Sequence, residues 1–497
     1  MEKYVITLDQ GTTSSRAIVF DRYGNIKGSA KKEHRQIYPN PGWVEHDPGE
    51  ILANQVEVLR GAIENAGISA DDILALGITN QRETIVLWDR NTGRPVYNAI
   101  VWQCRRTADI CDRLMKEGAA DEIHRKTGLI IDAYFSGSKI KWILDKFPDI
   151  RKEAEKGNIC AGTIDTWLIW NLTGRRVFAT DYSNASRTML FNILELKWDE
   201  DILKMFGIPV SMLPEVRPSA SLFGLVEKSI LGREIPIASV MGDQQASLFG
   251  QTCFEPGMAK NTYGTGCFLL ANTGNKAVFS RNKLLTTIAW GIGDRVDYAI
   301  EGSVFIAGSA IQWLRDGLKI ITTSRQCDEF AETVEDTKGV YFVPAFTGLG
   351  TPYWDMYARG AIFGLTSGVT REHIARATLE AIAYQVKDLV ECMKEDADCN
   401  LRLIKVDGGA SVSDIMMQFQ ADILRINVVR PKVVETTSLG AAFMAGLHTG
   451  MWSSLEDISK TWAVDRIFEP GMDEQQSRKL YAGWKKAVER TLRWIDD

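Results

Sequence analysis

The sequence predicts an α/β protein whose two halves flank a cleft. Three observations predict it. The chain has 497 residues, too many for one hydrophobic core and suited to two units of about 250 residues each. Two stretches share one layout of strand, small-residue tip and returning strand: residues 4–8, 9–15 and 16–20, then 258–263, 264–266 and 267–270. A third strand-like run, 403–406, enters Asp407-Gly408-Gly409 and then a helical stretch over 415–424. No linker-like or low-complexity segment separates the halves. The boundary is therefore expected within 250–257, giving domains 1–250 and 251–497.

The elements between these markers follow from pattern. Residues 74–78 and 84–88 read as strands around the polar loop 79–83. Residues 159–164 read as a strand feeding a helix over 165–172. Residues 236–241 read as a strand feeding Gly242-Asp243 and a helix over 244–249. Residues 438–448 read as a helix of small residues.

Composition narrows the function. Hydrophobic content of 45% and charged content of 25% are those of an ordinary globular protein. A net charge of −6 argues against a nucleic-acid partner, which needs a basic face. It leaves room for a phosphorylated ligand held by a few amides and arginines. The eight cysteines, at 104, 111, 160, 253, 267, 327, 392 and 399, form no Cys-x-x-Cys pair and no zinc spacing. They are expected to be reduced thiols. Met1-Glu2-Lys3 leads directly into a strand-like segment, so no signal peptide is expected. No apolar run approaches the roughly 18 residues of a membrane span. The expected location is cytoplasmic.

The tip Asp9-Gln10-Gly11-Thr12-Thr13-Ser14 joins a carboxylate, a glycine and several hydroxyls. Glycine lets backbone amides approach phosphate oxygens, and the carboxylate can face a hydrated Mg²⁺. Such a turn is also an ordinary hairpin. The second tip, Gly264-Thr265-Gly266, and the Asp407-Gly408-Gly409 turn favour a nucleotide gripped between two domains. A Walker A loop is excluded, because no glycine is followed by lysine. Arg82-Glu83 offers a donor and an acceptor side by side, suited to neighbouring hydroxyls but equally common as a solvated pair. Asp243, at the end of a strand, reads as a helix cap, a general base, or both.

Longer motifs carry a family resemblance. Leu8–Arg16 is similar to the first phosphate motif of sugar kinases of the actin/hexokinase/Hsp70 superfamily. Gly42-Trp43-Val44-Glu45-His46-Asp47-Pro48, residues 77–84, 102–107, 134–139, 242–245, 261–268 and 344–350 resemble the FGGY carbohydrate-kinase family, and within it the members that phosphorylate glycerol. The resemblance runs over essentially the whole chain. It implies two RNase-H-like (actin-like ATPase) domains flanking a deep cleft, the first binding polyol and phosphate and the second binding the nucleotide. It implies ATP-dependent phosphorylation of glycerol with release of ADP, with Asp243 as base. Arg82, Glu83, Tyr134, Asp243 and Gln244 would hold the triol, and Trp102 with Phe268 would cover its carbon edge. Thr12, Thr13, Ser14 and Arg16 would meet the phosphates. Thr265, Gly308, Gln312 and Gly409 would line the rest of the ATP site. Asp9 and Asp243 would approach Mg²⁺. Ser413 stands where close relatives carry asparagine, so its contact with adenine is open. The expected assembly is a homo-oligomer, dimer or higher. Two other readings stand beside this one: an FGGY kinase for a longer polyol or ketose, and a nucleotide switch of the actin/Hsp70 type, which would give Arg82, Glu83 and Asp243 no joint role.

Overall fold

The computed structural model of the protein describes residues 2–397 and 401–495; Cys399 lies outside them. Two sheets dominate. The first has six strands: β1 (Tyr4–Gln10), β2 (Ser14–Phe20), β3 (Ile26–Glu33), β4 (Ile73–Asn80), β5 (Leu225–Val226) and β6 (Ile235–Gly242), in the order β5-β6-β4-β1-β2-β3. The second has seven: β7 (Ala259–Tyr263), β8 (Cys267–Gly274), β9 (Leu285–Ile292), β10 (Arg295–Val304), β11 (Leu403–Asp407), β12 (Asn427–Pro431) and β13 (Val464–Phe468), in the order β9-β10-β8-β7-β11-β12-β13. Each sheet is built around one antiparallel hairpin, β1–β2 or β7–β8, whose first strand pairs in parallel with a later strand.

The packing explains why β1 is mainly apolar from Tyr4 to Leu8. Tyr4, Ile6 and Leu8 face one core, shared with Ile51, Val58 and Leu59 of α1 (Pro48–Ala66). Val5 faces the opposite core, shared with Leu439, Ala442 and Phe443 of α5 (Thr436–Thr449). A strand covered on both faces needs no polar alternation. Asp47 caps α1 by accepting from the Gly49 and Glu50 amides, and Pro48 occupies its first turn.

The helix α5, from the second half of the sequence, thus lies on the first sheet and packs against α2 (Asp243–Gly250). The two helices cross at Gly250 and Gly440. A Cβ on Gly250 would collide with the Thr436 carbonyl, and one on Gly440 with the Ala246 carbonyl. Only glycine allows this approach.

Two expectations need correction. Thr79 and Asn80 belong to β4, not to the loop, because the register pairs Asn80 with Gln10 and with Gly242 on its two sides. Asp243 is not the helix cap. Gly242 holds the cap position and Asp243 is the first residue of α2. Among the described residues no helix is long and apolar enough to cross a membrane, and the seven described cysteines are free.

Candidate active site

Strands β1, β4 and β6 are neighbours and mutually parallel, and Gln10, Asn80 and Gly242 align across them. Their carboxyl ends therefore release the Asp9–Ser14 tip, Arg82-Glu83 and Asp243 side by side, where α/β sheets gather ligand groups. Arg82 and Glu83 are not a solvated pair: both are 2% exposed or less. Glu83 adopts φ 61°, a left-handed conformation unusual for a glutamate. Such a backbone persists only where its surroundings over-determine it.

The surroundings are a lattice of buried charge. Glu301 of β10 accepts from both Nη atoms of Arg82, at 2.6 and 3.0 Å. Its Oε1 also accepts from Arg187 Nη2 at 3.0 Å. Arg187 Nε donates to Glu83 Oε1 at 2.6 Å, which closes the ring of four charges. Arg82 Nη1 reaches Gln245 Oε1 at 3.2 Å, and Nη2 reaches the Tyr134 hydroxyl at 3.5 Å. Burial opposes ionisation of Glu301, but Arg187 and Arg82 together hold it down to about 2. For Glu83 burial prevails over the same arginines and pushes its carboxyl up.

Asp243 Oδ1 lies 3.3 Å from Arg82 Nε and keeps 29% of its side chain exposed, so an incoming hydroxyl can reach it. Burial raises its carboxyl above the usual range, with Arg82 and Lys260 opposing and Asp9 adding to the rise. Asp9 is raised by burial too. Arg16 offsets this, as does Ser438, whose hydroxyl donates to Asp9 Oδ2 at 2.8 Å. Gln244 accepts from Lys260 Nζ. Trp102 makes edge contacts with Tyr134 (5.6 Å between ring centres) and Phe268 (6.3 Å), and the Arg82 guanidinium lies 6.0 Å above the Phe268 ring. Arg82, Glu83, Tyr134, Trp102, Asp243 and Phe268 thus form one cluster, polar on one side and aromatic on the other.

The second half opens a cavity of about 700 Å³. Strands β7 and β11 are parallel, with Thr262 beside Asp407, so the tips Gly264–Gly266 and Gly408-Gly409 emerge together. Gly408 has φ 87° and packs on Tyr263; a Cβ there would lie 2.6 Å from the Tyr263 carbonyl oxygen. The helix α3 (Gly308–Asp316) closes the same corner, its Gly308 amide bonded to the Gly264 carbonyl at 3.0 Å. Thr265, Gly308, Gln312, Gly409 and Ser413 all line this cavity. Ser413 caps α4 (Asp414–Leu424) by accepting from the Met416 amide, and its hydroxyl donates to Asp328 Oδ1 at 2.6 Å. Thr12, Thr13, Ser14 and Arg16 are not among the lining residues. They sit on the β1–β2 tip, where Arg16 pairs with Glu435.

Sequence reasoning missed Arg187, Glu301 and Lys260. A signal existed for two of them. Glu301 interrupts the buried strand run Tyr298–Val304, and Lys260 is a cation within the buried strand β7. A charge on a strand buried on both faces calls for a partner. Burial holds the Lys260 ammonium down to about 8.

The comparisons agree along the whole chain. The model of the FGGY family of carbohydrate kinases, N-terminal domain, matches residues 4–250, and that of the C-terminal domain matches 259–448. A protein of Caldanaerobacter subterraneus subsp. tengcongensis named glycerol kinase is 64% identical over 100% of both chains. The structure of Plasmodium falciparum glycerol kinase with ADP superposes with a TM-score of 0.92 at 40% identity, covering 100% of this chain and 99% of that one. The structure of gluconate kinase from Lactobacillus acidophilus, 22% identical, superposes with a TM-score of 0.88 over 99% and 98% of the two chains. The fold is thereby the α/β, two-domain actin-like ATPase type.

Proposed function

The chain belongs to the FGGY family of carbohydrate kinases, and from that premise we propose that it transfers the γ-phosphoryl group of ATP to a terminal hydroxyl of glycerol. The products are sn-glycerol 3-phosphate and ADP. The carrying observation is the cluster of Arg82, Glu83, Tyr134, Asp243, Trp102 and Phe268. Its charged groups are locked by Glu301 and Arg187, and its aromatic wall favours a three-carbon acceptor over a longer one. The 64% identical relative named glycerol kinase supports the same acceptor.

Arg82 donates and Glu83 accepts, so adjacent hydroxyls of the triol are bound from opposite chemical senses. Asp243 accepts the proton of the reacting hydroxyl as its oxygen bonds to the γ-phosphorus and the bond to the β-phosphate oxygen breaks. Residues 1–250 would supply the polyol pocket and the phosphate tip, with Thr12, Thr13, Ser14 and Arg16 at the phosphates. Residues 251–497 would seat the nucleotide in the 700 Å³ cavity, along Thr265, Gly308, Gln312, Gly409 and Ser413. Asp9 and Asp243 fit a hydrated Mg²⁺. Both carboxyls are raised by burial and Asp9 raises Asp243 further, a repulsion that a bound divalent cation would relieve. When bound, the ion supplies neutralisation of charge on the phosphates. A cytoplasmic location and a homo-oligomeric assembly complete the reading.

A coupled kinase assay over glycerol, longer polyols and ketoses tests it. Glycerol is expected to be the preferred acceptor. Turnover confined to a ketose would assign a different member of the family, and ATP hydrolysis indifferent to every acceptor would indicate a nucleotide switch.

A further inference from the structure

The motif Gly42-Trp43-Val44-Glu45-His46-Asp47-Pro48 has no part in the pocket described above. Two of its residues are structural. Glu45 is bound by Tyr97, Asn98 and Arg106, and Asp47 caps α1. His46, fully buried between them, faces the back of the β1–β2 tip. Its Nε2–H donates to Gln36 Oε1 at 2.9 Å, and its Nδ1 lies 3.4 Å from Gln81 Nε2. Gln36 Nε2 then donates to the Thr12 carbonyl at 3.0 Å. Gln81 Nε2 donates to the Gly11 carbonyl at 3.2 Å. The His34 amide donates to the Thr13 carbonyl at 3.2 Å.

Three successive carbonyls of the tip, Gly11, Thr12 and Thr13, are therefore tied down on one side. In a trans peptide the carbonyl and the following N–H point in opposite directions. Fixing the Gly11 and Thr12 carbonyls fixes the Thr12 and Thr13 amides outward, and among the described residues neither amide has an acceptor. Trp102 Nε1 donates to the Thr12 hydroxyl oxygen at 3.0 Å, which leaves the hydroxyl proton free to turn outward as well. We propose that Gln36, oriented by His46 and assisted by Gln81, is a positioning residue that presents the Thr12 and Thr13 amides to the nucleotide phosphates.

The direction of the His46–Gln36–Thr12 bonds is set by one proton. Nε2 of His46 must carry it, because Gln36 can donate to Thr12 only if its oxygen faces the histidine. Burial, with the His34 ring 4.6 Å away, holds the His46 imidazole down to about 3, so it stays neutral and keeps this donor–acceptor order. The His34 ring packs edge-on against His46, within reach of the Thr12 backbone, and the His34 backbone amide holds the Thr13 carbonyl.

The inference rests on the tip serving nucleotide phosphates, so the experiment separates the two claims. Gln36→Met keeps length and removes the donor. It should raise KM for ATP about tenfold while KM for glycerol stays within about twofold. His46→Leu should reproduce that split, and His46→Gln, whose amide can still donate to Gln36, should return most of the ATP affinity. Direct titration with ADP should show the same ranking without catalysis, in variants whose thermal midpoints match the wild type. An ATP KM unchanged in Gln36→Met, or equal rises in both KM values, would overturn the positioning role alone. Wild-type protein that binds no ATP would overturn the functional reading beneath it.

Discussion

In the proposed polyol site the polar atoms of Arg82 and Glu301 are engaged by other side chains within a fully buried lattice. The proposed nucleotide cavity is lined by small residues, Gly264, Thr265, Gly308, Gly409 and Ala410, and by larger ones including Ile311, Gln312, Arg325, Asp328 and Glu329. The first site cannot adjust without leaving a charge unpaired. The second has space, and its charged lining residues Arg325 and Glu329 are largely exposed and pair with each other rather than within a buried lattice. The contrast predicts strictness toward the acceptor and latitude toward the base, because a site rejects a molecule only as strongly as its own groups suffer from being left unpaired.

The largest expected break comes from Asp243→Asn. It preserves shape but cannot accept a proton, so kcat should fall by about 10²–10⁴ while glycerol affinity changes far less. Single-turnover rates and glycerol KM check this; near-normal turnover would reduce Asp243 to a structural role in α2. The next effect sharpens the strict side of the comparison. Propane-1,2-diol leaves one hydroxyl partner of the pocket empty, and ribulose exceeds the Trp102–Phe268 wall. Glycerol should exceed both by at least roughly a hundredfold in kcat/KM.

Asp165 supplies a control for the lattice. It is as buried as Glu301 but has Asp181 nearby and no arginine, so burial and Asp181 push its carboxyl up to about 7. Its folded pKa lies above the unfolded one, so the folded state binds more protons between these values. Its contribution to stability is present below about pH 4 and lost as pH rises through about 7, on the order of 4 kcal/mol. Asp165→Asn should flatten the fall of the thermal midpoint between pH 5 and 8; an unchanged slope would assign the buried charge elsewhere. The smallest effect concerns the base. Ser413 is engaged as a helix cap and with Asp328, and one hydroxyl cannot span a purine edge as an amide does. GTP, UTP and CTP should therefore support measurable glycerol phosphorylation, and Ser413→Asn should sharpen the preference for ATP several-fold, about 1 kcal/mol. Activity confined to ATP in the unaltered protein would show that other groups select adenine.

Local features of the fold were legible because local chemistry dictates them. The two hairpins follow from strand runs broken by Gly/Thr tips, and the Asp407-Gly408-Gly409 turn follows from a conformation only glycine takes freely. The cap of α2 was misread because Asp is a better capping residue than Gly, yet Gly242 is held in place by pairing with Asn80. The Arg82–Glu301 and Arg187–Glu301 contacts join residues 219 and 114 positions apart, and no local pattern couples them. The lattice that makes Arg82-Glu83 a buried device rather than a surface pair therefore became visible only with the tertiary structure.

The crossing of α2 and α5 also decides how the chain can be divided. Val5, Ile18, Phe20 and Met241 are covered by Leu439, Phe443 and Met444, which are made nearly two hundred residues later. A fragment ending near residue 250 would leave that face bare to water and prone to aggregate. The completed protein should tolerate a nick in the 250–257 stretch better than it tolerates losing either piece. Co-expressed halves should recover activity together that neither recovers alone. A ribosome releasing this chain thus delivers the keystone of the first sheet nearly two hundred residues after the sheet itself, and the interval is a window for chaperone capture.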